Sequence, residues 1–173
     1  AFQTVSTLDT PPATDLIRLP DGKSVRPLAP NTALKAKVEA LARKRAEFFE
    51  LDIGGGVQVD GWRILPPGFD PEKAYPLLVY VYGEPAGQTV QDSWGGNTYL
   101  WHVLLAQKGY IVASFDNRGT PAPRGRAWRK SVYRQIGILA SADQAAALKA
   151  ALAAWPYVDP NRVGVWGWSG GGS

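Results

Sequence analysis

Three apolar runs, PLLVYVYG (residues 76–83), YIVASFDN (110–117) and RVGVWGW (162–168), constrain this chain more than any other feature. Each is short, rich in β-branched and aromatic residues, and too continuously apolar for a strand with one wet face, so each is expected to be a buried strand. Helix-forming stretches separate them. TYLWHVLLAQKG lies between the first and second, with Gly109 placed to end it, and the alanine-rich SADQAAALKAALAAW lies between the second and third. Pro156 stops that helix, and Asp159-Pro160 is expected to turn the chain into the last strand. Strand, helix, strand, helix, strand predicts an α/β fold built on a mostly parallel sheet.

The chain before the first run has a different rhythm. TDLIRLP, the turn Asp21-Gly22 and KSVRPL predict a hairpin, with Pro11, Pro12, Pro20, Pro27 and Pro30 expected at strand ends. A lone hairpin is not stable in water, so these strands must join a larger sheet. From Asn31, a fair N-cap, the spacing of Leu34, Val38 and Leu41 predicts a helix running to about Arg45, with Lys35, Lys37, Arg43, Lys44 and Arg45 mostly on its solvated face. EFFELDI, a Gly54-Gly55-Gly56 turn and VQVDGWRILPP then predict a second hairpin.

With 173 residues, 45% of them hydrophobic and seven of them Trp, the chain can bury a real core. The absence of Cys excludes disulfides, Cys-ligated zinc and a thiol nucleophile. No apolar run is long enough to span a membrane as a helix. No metal or cofactor is expected. The chain starts at Ala1, has no Met and stops on a glycine run, so it is read as a piece of a longer protein, and its net charge of +4 carries little weight.

The final residues, VGVWGWSGGGS, can be read as a flexible linker or as G-x-S-x-G, the strand-to-helix turn that presents a nucleophilic serine. A buried strand directly before the motif favours the second reading, because that strand aims the serine above the sheet edge. Close approach by the next helix would explain the glycines. A Gly-rich phosphate-binding loop is the blander alternative for Ser169.

GWRILPPGFDPEKAYPLLVYVYGEPAGQ, KGYIVASFDNRGT and DPNRVGVWGWSGGGS together resemble the catalytic domain of the prolyl oligopeptidase family of serine peptidases, in its dipeptidyl peptidase IV branch. Residues 1–30 are similar, less closely, to the last strands of the β-propeller that precedes that domain. The resemblance implies an α/β fold in which residues 1–30 end a β-propeller and residues 31–173 form the N-terminal part of an α/β-hydrolase domain. It implies Ser169 as the acyl-forming nucleophile, with the Tyr82 hydroxyl and the Gly170 backbone N–H as the oxyanion hole. It implies a peptide substrate, release of N-terminal Xaa-Pro dipeptides through an acyl-enzyme, no cofactor, and room for a homodimer in the full-length protein. A periplasmic or secreted location fits that resemblance, with a cytoplasmic one left open.

Three positions depart from the family's pattern. Gly170 stands where the animal enzymes have tyrosine, Glu84 replaces a customary glycine beside Tyr82, and Ala140-Ser141-Ala142 precedes Asp143-Gln144 where acidic residues are usual. The first puts a wall of the proline pocket in doubt, the second sets a carboxylate near the developing oxyanion, and the third bears on a surface contact.

The triad order of this fold is serine, acid, histidine. His102, the only histidine, precedes Ser169, as do Asp116 and Asp143, so the triad acid and histidine are expected outside this chain, which alone should be inactive, poorly soluble and open along an apolar edge. Two other readings stay open. One keeps the fold as an acylaminoacyl peptidase or esterase. The other is a nucleic-acid-binding module using RGTPAPRGRAWRKSVYRQ, where Arg118, Arg124, Arg126, Arg129, Lys130 and Arg134 interleave with Trp128 and Tyr133; pairing of those arginines with carboxylates is the bland alternative.

Overall fold

Residues 1–172 are described by the computed structural model. The segment before residue 31 forms a three-stranded antiparallel sheet, β1 (Phe2–Thr7), β2 (Thr10–Ile17) and β3 (Ser24–Ala29). The predicted hairpin is β2–β3, turned by Asp21-Gly22, with Gly22 at φ 66° and Asp21 held by the Arg18 guanidinium.

Three of the prolines expected at strand ends lie within strands: Pro11 and Pro12 in β2 and Pro27 in β3. Pro11 and Pro12 fall where the β1–β2 register slips between Val5 and Thr7. Pro27 pairs with Asp15 beside a slip on the edge strand. At such places a missing N–H breaks no ladder bond.

Helix α1 (Thr32–Glu39) is shorter than its spacing predicts. Asn31 precedes it at φ 49° without a capping bond and instead donates its side-chain amide to the Pro12 carbonyl at 2.6 Å. The helix stops early because Arg43 folds back, donating to the Val38 carbonyl and pairing with Glu39 and buried Asp9. Arg43 is therefore a buried anchor rather than part of a solvated face.

The second sheet has five strands in the order β4 (Glu47–Asp52), β5 (Gln58–Ile64), β7 (Ile111–Asp116), β6 (Tyr75–Val81), β8 (Val158–Gly167). The first two form the predicted hairpin, β5 runs antiparallel to β7, and β7, β6 and β8 are parallel. Every residue of β7 is buried because each face has its own cover. Ile111, Ala113 and Phe115 pack with Leu77 and Val79 under Ala147 and Ala151 of α4 (Ile138–Ala154). Val112 packs with Trp62 and Ile64 under Tyr99, Val103 and Ala106 of α2 (Gly96–Gln107). Leu8, from the turn between β1 and β2, closes this second cluster. Gly109, at φ 91°, follows the end of α2 as its sequence predicts.

One expectation fails around the last strand. β8 begins at Val158, so Asp159-Pro160 is a register slip within it rather than a turn ahead of it. Asp159 organises that slip, accepting from the Asn161 amide and the Arg162 guanidinium. The strand lies at the sheet edge with no neighbour beyond it among the described residues, leaving Val165 69% exposed, which is the open apolar edge expected of these residues alone. A short helix, α3 (Gly125–Lys130), interrupts the basic loop. Among the described residues no helix is long and apolar enough to cross a membrane.

Candidate active site

Parallel pairing fixes where the motif residues meet. Val81 of β6 is in register with Gly167 of β8, so the two strands end level and Tyr82 emerges beside Trp168-Ser169 at the C-terminal edge of the sheet. Ser169 then takes φ 54°, in the left-handed region that non-glycine residues seldom adopt, and opens a 3₁₀ turn over Ser169–Gly172. Backbone held this way marks a site whose surroundings over-determine it. Ser169 and Trp168 are exposed, while Gly170 and Gly171 are half-buried.

Among the described residues, the glycines are required by the end of β6. A Cβ on Gly171 would stand 1.8 Å from the Val81 carbonyl oxygen, and one on Gly167 would stand 2.1 Å from the Gly171 oxygen. Both obstacles are backbone and cannot rotate away. The turn bearing Ser169 is thus packed directly on the end of β6, the strand that leads into Tyr82. Gly170 differs, because the atoms nearest to a Cβ there belong to the Glu84 side chain, with Cγ and Cδ at 2.3 Å.

The loop after Tyr82 is pinned from β7. Gly83 has φ 78°, and its carbonyl accepts from the Asn117 side chain at 3.0 Å. Asn117 is oriented by Gln144 of α4, whose amide donates to both Asn117 Oδ1 and the Phe115 carbonyl. Further along, buried Asp116 accepts the backbone N–H groups of Thr89 and Val90 at 2.9 and 3.1 Å, and the Trp62 indole donates to the Thr89 carbonyl. Burial pushes the Asp116 carboxyl up, partly offset by those N–H donors. Asp116 and Asn117 thus hold the loop that follows Tyr82, a part that sequence reasoning missed. Their signal was a polar pair closing an otherwise apolar strand.

The other titratable candidates, His102 and Asp143, are buried. His102 is 2% exposed and wedged among the rings of Trp62, Tyr80 and Trp166 at 5.1–5.4 Å, where desolvation lowers its pKa to about 4. Asp143 is buried beneath Arg118, which donates to it from its backbone and from its guanidinium at 2.7–3.0 Å. The contact altered around residues 140–144 is therefore partly interior: Asp143 and Gln144 brace the loop after β7. In the basic segment, Arg124 is likewise committed, to Asp60 and Glu50.

With this geometry in place, comparison with known proteins becomes specific. Residues 97–173 match the prolyl oligopeptidase family profile. The Aspergillus flavus protein named "Probable dipeptidyl peptidase 4" is 35% identical over 151 residues, covering 87% of this chain and 19% of that protein. The crystal structure of Porphyromonas gingivalis dipeptidyl peptidase 4 superimposes with a TM-score of 0.89 at 39% identity, covering 97% of this chain and 23% of that one. Pyrococcus horikoshii acylaminoacyl peptidase shares the fold, with a TM-score of 0.76 at 24% identity over 98% of this chain and 25% of that one. The chain thus spans about a fifth of the length of the curated relatives it matches. Its fold is the N-terminal part of an α/β-hydrolase domain preceded by strands of β-propeller type. By these matches the chain belongs to the prolyl oligopeptidase family, in the dipeptidyl peptidase IV branch.

Proposed function

We propose that these residues form the nucleophile-bearing part of a serine exopeptidase of dipeptidyl peptidase IV type, which releases N-terminal Xaa-Pro dipeptides. Residues 1–30 would end the propeller and residues 31–173 begin the hydrolase domain. The observation that carries this reading is the left-handed backbone of exposed Ser169, on a turn packed against the end of the Tyr82 strand.

In this reading Ser169 Oγ attacks the carbonyl of the substrate's penultimate residue and passes its proton to a histidine. The negative oxygen of the tetrahedral intermediate accepts from the Tyr82 hydroxyl and the Gly170 N–H, and such donors contribute roughly 3 kcal/mol each in the transition state. The proton moves on to the leaving amine, and water then hydrolyses the acyl-enzyme by the same steps. The histidine and its acid would come from beyond residue 173, and residues 1–173 alone would not turn over. No step calls for a cofactor.

The test is fluorophosphonate labelling of the full-length protein, with Ser169 located by mass spectrometry, followed by assays on Xaa-Pro arylamides and their N-acetylated counterparts. Labelling at Ser169 with cleavage of only the free-amine substrates supports the reading. Preference for acetylated substrates would establish an acylaminoacyl peptidase instead. Absence of labelling would overturn acyl transfer altogether.

A further inference from the structure

Glu84 and Gly170 stand apart among the contacts of the elbow. Where Gly167 and Gly171 are confined by backbone, the space above Gly170 is taken by a side chain: the Cγ, Cδ and Oε1 atoms of Glu84 lie 2.3, 2.3 and 2.6 Å from where a residue-170 Cβ would be. Glu84 is half-buried, and its carboxylate has no hydrogen bond or ion pair among the described residues. Its backbone is held in place, since Gly83 is fixed by Asn117 and the amide of Gly87 donates to the Glu84 carbonyl. An unpaired carboxylate is therefore kept on the surface of the residue directly after Ser169.

We propose that Glu84 is a specificity-determining residue of the acyl site: it stands in for a side chain at 170, so that the wall beside Ser169 is anionic and selects cationic or hydrogen-bond-donating acyl groups over neutral or anionic ones. The inference rests on the acyl-transfer reading of Ser169. An acyl group attached to Ser169 with its oxygen on the Gly170 amide has its own substituents within a few ångströms of residue 170. A half-buried charge there is costly unless a ligand supplies a donor or a cation, and it repels a second negative charge. Glycine at 170 is what gives this carboxylate its place. A methyl group at 170 would have to push the flexible Glu84 side chain aside, because its three nearest obstacles are all atoms of that side chain.

The experiment compares two fluorophosphonates on the full-length protein, one carrying a trimethylammonium-ethyl group and one its uncharged 3,3-dimethylbutyl isostere. Rates of phosphonylation at Ser169 are followed by mass spectrometry. Wild type is expected to favour the cationic probe by at least about tenfold. Glu84→Gln should bring the ratio down to about twofold. Gly170→Ala should lower it by a similar factor and add nothing in the Glu84→Gln background, since both changes act through the same carboxylate. Because each variant is judged by its own ratio, a general loss of rate does not blur the result. A ratio that survives Glu84→Gln, or that Gly170→Ala leaves intact, overturns the inference while leaving acyl transfer standing. Failure of both probes to label wild-type Ser169 overturns the acyl-transfer reading, and this inference falls with it.

Discussion

Gly171 and Val81 are separated by 90 residues of sequence, yet a single added carbon on Gly171 would stand 1.8 Å from the Val81 carbonyl oxygen. That contact joins the candidate nucleophile's turn to the candidate oxyanion strand. Gly171→Ala should therefore cost about 1–3 kcal/mol of stability through forced backbone movement and abolish fluorophosphonate labelling of Ser169. Gly172→Ala is the matched control, because a Cβ there has its nearest neighbour at 3.5 Å. Thermal melts and labelling of the two variants check this, and equal behaviour would refute it.

Tyr82→Phe removes one hydroxyl and no packing volume. If that hydroxyl steadies the oxyanion, kcat/KM on an Xaa-Pro arylamide should drop by roughly 10²–10³ with Tm almost unmoved. A loss under tenfold would make Tyr82 a wall of the site rather than a donor.

Asn117→Ala withdraws the donor to Gly83 and leaves both that carbonyl and the Gln144 amide short of a partner. The expected cost is about 1–3 kcal/mol, with kcat reduced more than KM is raised, since the residue places Tyr82 without touching substrate. Steady-state kinetics and a denaturant titration separate the two effects.

His102 gives a pH signature. Its folded pKa is lowered to about 4, against 6.5 for the free side chain, because its charged form is desolvated among three aromatic rings. A depressed histidine pKa means that the unfolded chain binds the proton first. Stability is then full above pH 6.5 and declines as pH drops from about 6.5 to about 4, by roughly 3 kcal/mol in total. His102→Phe, which keeps the ring packing, should flatten that part of the stability–pH curve. An unchanged slope in the variant would assign the decline to other groups.

What could be read from the residues follows from how local each cause is. β6 and β7 were legible because strands covered on both faces must be apolar throughout, and α2 because Gly109 marks its end. The tight turn at Ser169 was legible because its glycines flank the serine in sequence. Their reason was not: Val81, Glu84 and the turn at 167–171 come together only through the parallel register of β6 with β8. The same limit explains Arg43, whose buried role depends on Asp9, 34 positions earlier, and Pro27, which is tolerated inside a strand only because that strand lies at an edge. β8 reads as buried from its composition, yet composition carries no information about which neighbours are present.

The two attachments made to the loop after Tyr82 by Asp116 at the end of β7 and Asn117 just past it, at Thr89-Val90 and at Gly83, bracket a short interval that includes Glu84, Pro85 and Ala86. Such a layout separates inheritance of chemistry from inheritance of taste. If Tyr82 serves the oxyanion, residues between the brackets could be exchanged over evolutionary time, or by an engineer, while Tyr82 keeps its bearing, and this stretch would work as a cassette in which new preferences are tried without rebuilding the machinery they serve.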